Sequence, residues 1–517
     1  MLHLLERFGG FFPAVVALLL PIVFIPTLGD LYILPRASIV IAGSCIGAGL
    51  AILSPARGGL GVLRWLLVAA AAAALLAFAF SVSWPLSVAG SYTRYESLPM
   101  RLSYLGLLAS SVWLLRTERQ RDLLVAAFVF GSSVAALEAI QQAFGHVSFR
   151  PDGNLGNANL LAALLVMAIP LAVERALHAN WSIAAWSAAI VVMAGGLLAT
   201  TSRSGFLAVG VAGLVLLTLL TPNRFVVIAA AGSAVLSALA LVVVYASPLR
   251  TLNGDPPELR LHLWQDGLHM IAARPLTGWG EDTTGIAFGH FLSQDYASLV
   301  TFDRIHSGPL DVAATQGVLG LAATGAVVAF VFVYAWRNRS RPGVAGLAAA
   351  LAGYTVWVAF NFDWSPATGM FWLLAGTTWS ASAAPPHSWG GGAEGAGGAG
   401  RRLMAVVLPI LAVALVGAAI VFAVLPVLAD SWYVKGRPDL SVKVDPLQAQ
   451  YHWADGTLPE LSRAAELGET DPGLYVTLGD AELRAGDRSA ARRAFERALE
   501  IDPYYTPASQ RLAALGG

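Results

Sequence analysis

Five arginines stand at the ends of apolar runs: Arg36, Arg94, Arg150, Arg203 and Arg260. Each falls where the chain's own charge pattern predicts the outer side of a membrane. Arginine at membrane ends normally collects on the cytoplasmic side. A set on the other side is costly unless something anionic holds it there. A guanidinium stays protonated and offers a planar fork of donors, which suits a diphosphate. His306 lies in DRIHSGPLDVAATQGVLGL, at the outer entrance of another apolar run on the same face. An unperturbed histidine titrates near pH ~6.5, which suits a base acting on a sugar hydroxyl. Asp303 and Asp311 are the two candidates to orient it. The sequence shows no Asp-x-Asp and no His/Asp cluster that would hold a metal. Permanent cations, a base, no metal and a membrane together fit movement of a glycan off a lipid diphosphate carrier.

The segments around these residues are informative in themselves. Arg203 sits in TTSRSG between two apolar runs with hardly any loop, flanked by Ser202 and Ser204. Either serine can cap the next helix. Arg150 precedes PDGNLGNANL, a Gly/Asn turn whose exposed donors, Asn157 among them, could cradle a phosphate or sugar. Arg94 lies in SYTRYESL with Glu96 as a local partner. Arg260 opens a helical pattern in which Leu261, Trp264, Leu268 and Ile271 recur, as in an amphipathic helix lying at the interface. Trp279 follows in ARPLTGWG as a further substrate contact. Arg36, beside Pro35, reads first as an interfacial, snorkelling arginine.

These residues must be positioned by membrane helices. The chain has 517 residues, 56% hydrophobic and 12% charged, with mean hydropathy +0.65. Soluble domains are about 25% charged, so most of this chain uses lipid as its solvent. Its 32 basic and 32 acidic residues balance, but the acid is concentrated at residues 451–500. Cys45 is the lone cysteine, which excludes an intrachain disulfide. Apolar runs mark thirteen candidate spans near 10–28, 37–55, 63–82, 102–115, 122–143, 158–173, 181–200, 205–220, 224–246, 308–335, 343–361, 366–382 and 403–428. The first reads as a membrane segment rather than a cleaved signal. Arginine clusters follow the second, fourth, tenth and twelfth runs, which places those exits and the N-terminus in the cytoplasm. The loop at about 247–306 is then extracytoplasmic, and so is everything beyond the last span. The expected architecture is an all-α polytopic membrane core (1–382), a Pro/Gly-rich linker (383–402), one more span (403–428) and a helical domain (451–517).

That last domain carries Leu478-Gly479, Gly486-Asp487, Ala491, Phe495, Ala498 and Pro503, the pattern of one 34-residue tetratricopeptide repeat. One repeat cannot bury both faces. It must lean on flanking helices at 457–472 and 506–515, on the membrane domain, or on a protein partner.

Taken in order, SYTRYESL, FGHVSFRPDGNLGNANLLA, TTSRSG, the Arg260-to-ARPLTGWG run and RIHSGPLDVAATQGVLGL resemble the O-antigen ligase and polymerase superfamily over about residues 10–380. The resemblance implies a metal-independent bacterial inner-membrane glycosyltransferase without a cofactor. It would take a glycan from undecaprenyl diphosphate, with inversion, and pass it to a lipid, glycan or protein acceptor. It implies that Arg203 and Arg260 bind the diphosphate and that His306 activates the acceptor, with Arg94 and Arg150 secondary. The chain departs from the family motif at Ser307, where asparagine is usual, and near Gln316, where an acid is usual. The repeat domain resembles extensions of some members, including ones that glycosylate proteins. Repeat-unit polymerisation and protein glycosylation differ from ligation only in acceptor. A lipid-linked-sugar flippase should show internal repeats and mid-span charges, which are absent. A scaffold role leaves the arginines and His306 unexplained. Nucleic acid is not an expected partner.

Overall fold

The computed structural model describes residues 9–53, 59–180, 182–221, 257–297, 299, 301–383 and 398–516. The expected ninth span, the first part of the long loop and most of the Pro/Gly linker lie outside the described residues. The membrane part contains α1 (Phe12–Ile22), α2 (Ile33–Leu53), α3 (Leu63–Ala79), short α4 (Trp84–Ala89), α5 (Leu98–Leu114), α6 (Glu118–Phe144), α7 (Ala158–His178), α8 (Ile183–Ala199) and α9 (Arg203–Leu220). Beyond residue 256 come α10 (Pro257–Ala273), α11 (Thr284–Ala287), α12 (Gly308–Arg337), α13 (Val344–Ala359) and α14 (Ser365–Ser382). Then α15 (Gly398–Ala419) runs through a π turn at Ile420–Val424 into α16 (Leu425–Val434). Every expected span except the ninth coincides with a described helix, and no strand occurs among the described residues. A helix satisfies its own backbone groups, which hydrocarbon cannot do. Six described helices are long and apolar enough to cross a membrane. The protein is a multi-pass membrane protein.

At the centre stands α7, where Leu161, Leu164, Leu165 and Ala168 are fully buried. It packs on α8, α9 and α13, while α5 is held between α2 and α14. The expected tenth span is not one continuous helix. Within α12, Gly317 adopts φ 67°, ψ −172°, a region open essentially to glycine alone. The 275–280 segment docks into the break. Trp279 N donates to Ala314 O (2.9 Å), Gly280 N to Thr315 O (2.9 Å) and Val318 N to Pro275 O (2.7 Å). The N-terminal part of α12, which follows His306, is thereby tied to the loop rather than to its own continuation.

The C-terminal part comprises α17 (Pro438–Val444), α18 (Ala449–Asp455), α19 (Leu458–Leu467), α20 (Pro472–Ala485), α21 (Arg488–Ile501) and α22 (Thr506–Gly516). The repeat pair α20–α21 buries Leu474, Tyr475, Phe495 and Ala498. Flanking helices α19 and α22 supply Leu461, Leu467 and Ala508 to the same core. The repeat also leans on the membrane domain. Its α21 packs on α11 and the following 3₁₀ turn, and Ser83 Oγ donates to Leu467 O (3.4 Å). Asp430, at the end of the last span, accepts from Gly29 N (2.6 Å) and Tyr92 Oη (2.8 Å).

Candidate functional site

The turns between helices fold back on themselves at one end of the bundle. Asn157 caps α7, its side chain accepting from Asn159 N (2.8 Å). Ser202 caps α9, accepting from Gly205 N (3.3 Å) and donating to Asn159 Oδ1 (2.8 Å). These caps set Asn159 and Arg203 at the adjoining N-termini of α7 and α9, where the helix dipoles favour an anion. Arg150 is pinned beside them. Its Nη2 donates to Thr200 O (2.7 Å) and to Asn159 Oδ1 (3.1 Å).

Together they line a cavity of about 340 Å³. Arg94, Arg150, Arg203, Arg260 and His306 all reach its wall, with Asn157, Asn159, Ser204, Asn361 and the aromatics Trp357, Phe362 and Trp364. No carboxylate is among the described lining residues. Burial, and behind it the charges of Arg203 and Arg260, push the Arg150 guanidinium below its usual range. The cavity therefore concentrates positive charge and is suited to a multivalent anion. Among the described residues, no group of three or more His, Cys, Asp and Glu side chains could hold a metal.

Arg94 does not pair with Glu96. Its Nε and Nη2 donate to Asp303 at 2.6 and 3.1 Å, and the guanidinium lies 4.8 Å from the ring centres of both Phe362 and Trp364. Asp303 offers both carboxylate oxygens in fork geometry. Burial alone would raise the Asp303 carboxyl, but Arg94 and Arg304 outweigh it and hold it near 2. Glu96 turns inward instead and accepts from Tyr104 Oη (2.7 Å).

His306 sits edge-on between Phe302 and Phe362, with ring centres 5.9 and 5.2 Å away. Its φ of 58° is left-handed, a strained backbone held by its neighbours. Asp311 accepts from Ile305 N (2.8 Å), and Trp264 Nε1 donates to His306 O (3.4 Å). Helix α10 approaches from behind. A Cβ on Gly267 would fall 2.5 Å from Ile305 Cγ2, so only glycine lets the helix lie this close. The expected apolar stripe of α10 is split: Leu261 and Leu268 face outward, while Leu263, Gly267 and Met270 face the His306 loop.

A second ring of ion pairs ties the loops together. Arg101 pairs with Glu281 (3.2 Å) and Asp363 (2.6 Å), and Arg304 pairs with Asp282. Gln316 Nε2 donates to Glu281 Oε1 (2.6 Å). An acid at 316 would face Glu281 as a like charge, whereas the amide bridges it. Ser307 opens α12 without a side-chain cap.

Other expected residues stand apart. Arg36 is no interfacial anchor. It is fully buried and donates to Leu20 O (2.9 Å), Tyr32 O (2.8 Å) and Asn154 Oδ1 (3.0 Å). Trp279 lies outside the cavity lining. Its Nε1 donates to Met270 O (3.0 Å), with Arg274 over its ring. Ser202 is buried behind Ser204 as a cap. The sequence reading missed the NFDW segment. Asn361 Nδ2 donates to Ser204 Oγ (3.0 Å), Phe360 O accepts from Arg260 Nη1 (2.6 Å), and Trp364 Nε1 donates to Thr93 O (3.1 Å). A polar Asn-x-Asp between two apolar runs was the available signal.

Residues 188–325 match the family model described as O-antigen ligase, and residues 472–515 match one described as tetratricopeptide repeat. The chain carries an O-antigen ligase domain and a tetratricopeptide repeat. The matched ligase segment holds Arg203, Arg260 and His306, while Arg94, Arg150 and the NFDW residues enter the same cavity from outside it. No curated protein matches the chain. The ligase domain supports a glycosyltransferase-like reaction of the ligase or polymerase kind.

Proposed function

We propose that the protein transfers a glycan from a polyprenyl diphosphate carrier to an acceptor hydroxyl at the extracytoplasmic face of the bacterial inner membrane, without a metal. The observation that carries this reading is the convergence of four arginines and His306 on one cavity with no carboxylate among its described lining residues. Arg203 and Arg260 hold the diphosphate, and Arg150 adds to the field. His306 takes the acceptor proton as its oxygen bonds to the anomeric carbon. The bond from that carbon to the diphosphate breaks, and the leaving group keeps the electron pair. Guanidiniums aimed at the developing charge lower the barrier most. Phe362 and Trp364 offer flat faces on which a sugar ring can stack. The chain is read as a ligase core (1–382), linker (383–402), extra span (403–428) and repeat domain (451–517). The repeat domain lies beside the cavity loops, as expected of a platform for the acceptor or a protein partner.

The experiment is transfer in proteoliposomes from undecaprenyl-diphosphate-linked glycan, with and without excess chelator. Equal rates are expected. Loss of transfer on chelation would overturn the metal-free reading.

A further inference from the structure

A second cavity, of about 190 Å³, lies where the last span meets the rest of the molecule. Its walls come from α2 (Leu34, Ser38), the 88–97 segment (Tyr95), the π turn and start of α16 (Val421, Leu425) and the 444–448 segment (Asp445). Three features are unlike a purely apolar seam. The hydroxyls of Tyr95 and Ser38 are buried and have no hydrogen-bond partner among the described residues, and Tyr95 is only 7% exposed. Asp445 forms no ion pair among the described residues. Its carboxyl is pushed up to about 6 by burial, so it is largely ionised at neutral pH. The helix also carries a π turn at Ile420–Val424, a distortion frequent at functional sites.

We propose that this cavity binds a membrane phospholipid with a primary-ammonium headgroup, the phosphatidylethanolamine class. The ammonium donates to Asp445, and the hydroxyls of Tyr95 and Ser38 donate to oxygens of the phosphodiester. The acyl chains leave along Val421 and Leu425, where the last span faces lipid and Val421 is 49% exposed. Charge complementarity selects this occupant. A half-buried carboxylate with no ion pair among the described residues favours a cation, and buried hydroxyls need acceptors. A zwitterionic headgroup supplies both. A choline headgroup has no N–H to donate, and a glycerol headgroup brings no cation. Tyr95 directly follows Arg94, so the bound lipid braces the loop that carries one of the cavity arginines. The inference does not depend on the transfer reaction.

The test is native mass spectrometry of the full-length protein, released from detergent after incubation with equimolar phosphatidylethanolamine, phosphatidylcholine and phosphatidylglycerol. Wild-type protein should retain the ethanolamine lipid at least tenfold over the others. Asp445→Asn and Tyr95→Phe should cut that adduct at least fivefold, at unchanged gel-filtration profile. Val421→Trp, placed on the lipid-facing lip, should block the mouth and do the same should Asp445→Asn fail to fold. Equal retention of all three lipids by wild-type protein would overturn the proposal. So would full retention of the ethanolamine lipid by Val421→Trp.

Discussion

Replacing Arg203 by alanine should separate chemistry from folding. Arg203 opens α9 at the cavity wall. A guanidinium fork making two charge-assisted bonds at about 1.5–3 kcal/mol each contributes about 3–6 kcal/mol to holding a diphosphate. At ~1.36 kcal/mol per tenfold, kcat/KM should fall at least about 10²-fold. Stability should change far less than activity. The Ser202 cap on Gly205 N stays in place, and the substitution removes a cation from the positive end of a helix and from the neighbourhood of Arg150. Arg36→Ala is the contrasting case. It strands at least three acceptors inside the bundle, at about 1–3 kcal/mol each, so it should lower the melting temperature and the yield of folded protein. Arg203→Lys keeps the charge but not the fork and should remain well below wild type. The assay is initial-rate transfer in proteoliposomes beside thermal melting in detergent. Full activity of Arg203→Ala would refute the clamp. A melting temperature as low as that of Arg36→Ala would reassign Arg203 to structure.

Three further outcomes follow from the geometry. Burial lifts the Glu96 carboxyl to about 8, against an ordinary value near 4.5. The folded state therefore holds a proton that the unfolded chain gives up, and stability falls as pH rises from about 4.5 to about 8. Melting temperature should drop over that range, and Glu96→Gln should flatten the slope; an unchanged slope would contradict the assignment. Gly267→Ala sets a methyl 2.5 Å from Ile305 Cγ2. It should displace the His306 loop and lower kcat several-fold with little change in melting temperature. Gly317→Ala meets a backbone oxygen at 2.2 Å in a conformation closed to other residues. It should cost at least about 3 kcal/mol and abolish folded yield, read by gel filtration.

The sequence makes the helices and the repeat legible because both write their period directly into the residues. Apolar runs set the spans, and Leu478, Gly479, Phe495 and Ala498 set the repeat. Part of the cationic set was legible too, since arginines at the ends of apolar runs are visible without coordinates: Arg94, Arg150, Arg203 and Arg260 line one cavity and Arg36 does not. The partners of the set were not. Asp303 lies 209 positions from Arg94, and no local pattern joins them. The NFDW segment falls at the junction of the apolar runs 343–361 and 366–382, where no periodic pattern marks its polar residues. Trp279, expected as a substrate contact, lies outside the described cavity lining, and its backbone N–H bonds Ala314 O in the helix break. The break itself was hidden, because Gly317 in an apolar run reads as a tolerated helical glycine.

The most direct measurement is single-turnover transfer by His306→Ala, run beside donor binding by the same protein. Donor affinity should stay within about threefold of wild type, because the arginines are untouched, and transfer should fall at least about 10²-fold for loss of the base. Wild-type transfer by His306→Ala would contradict the role of His306 as that base.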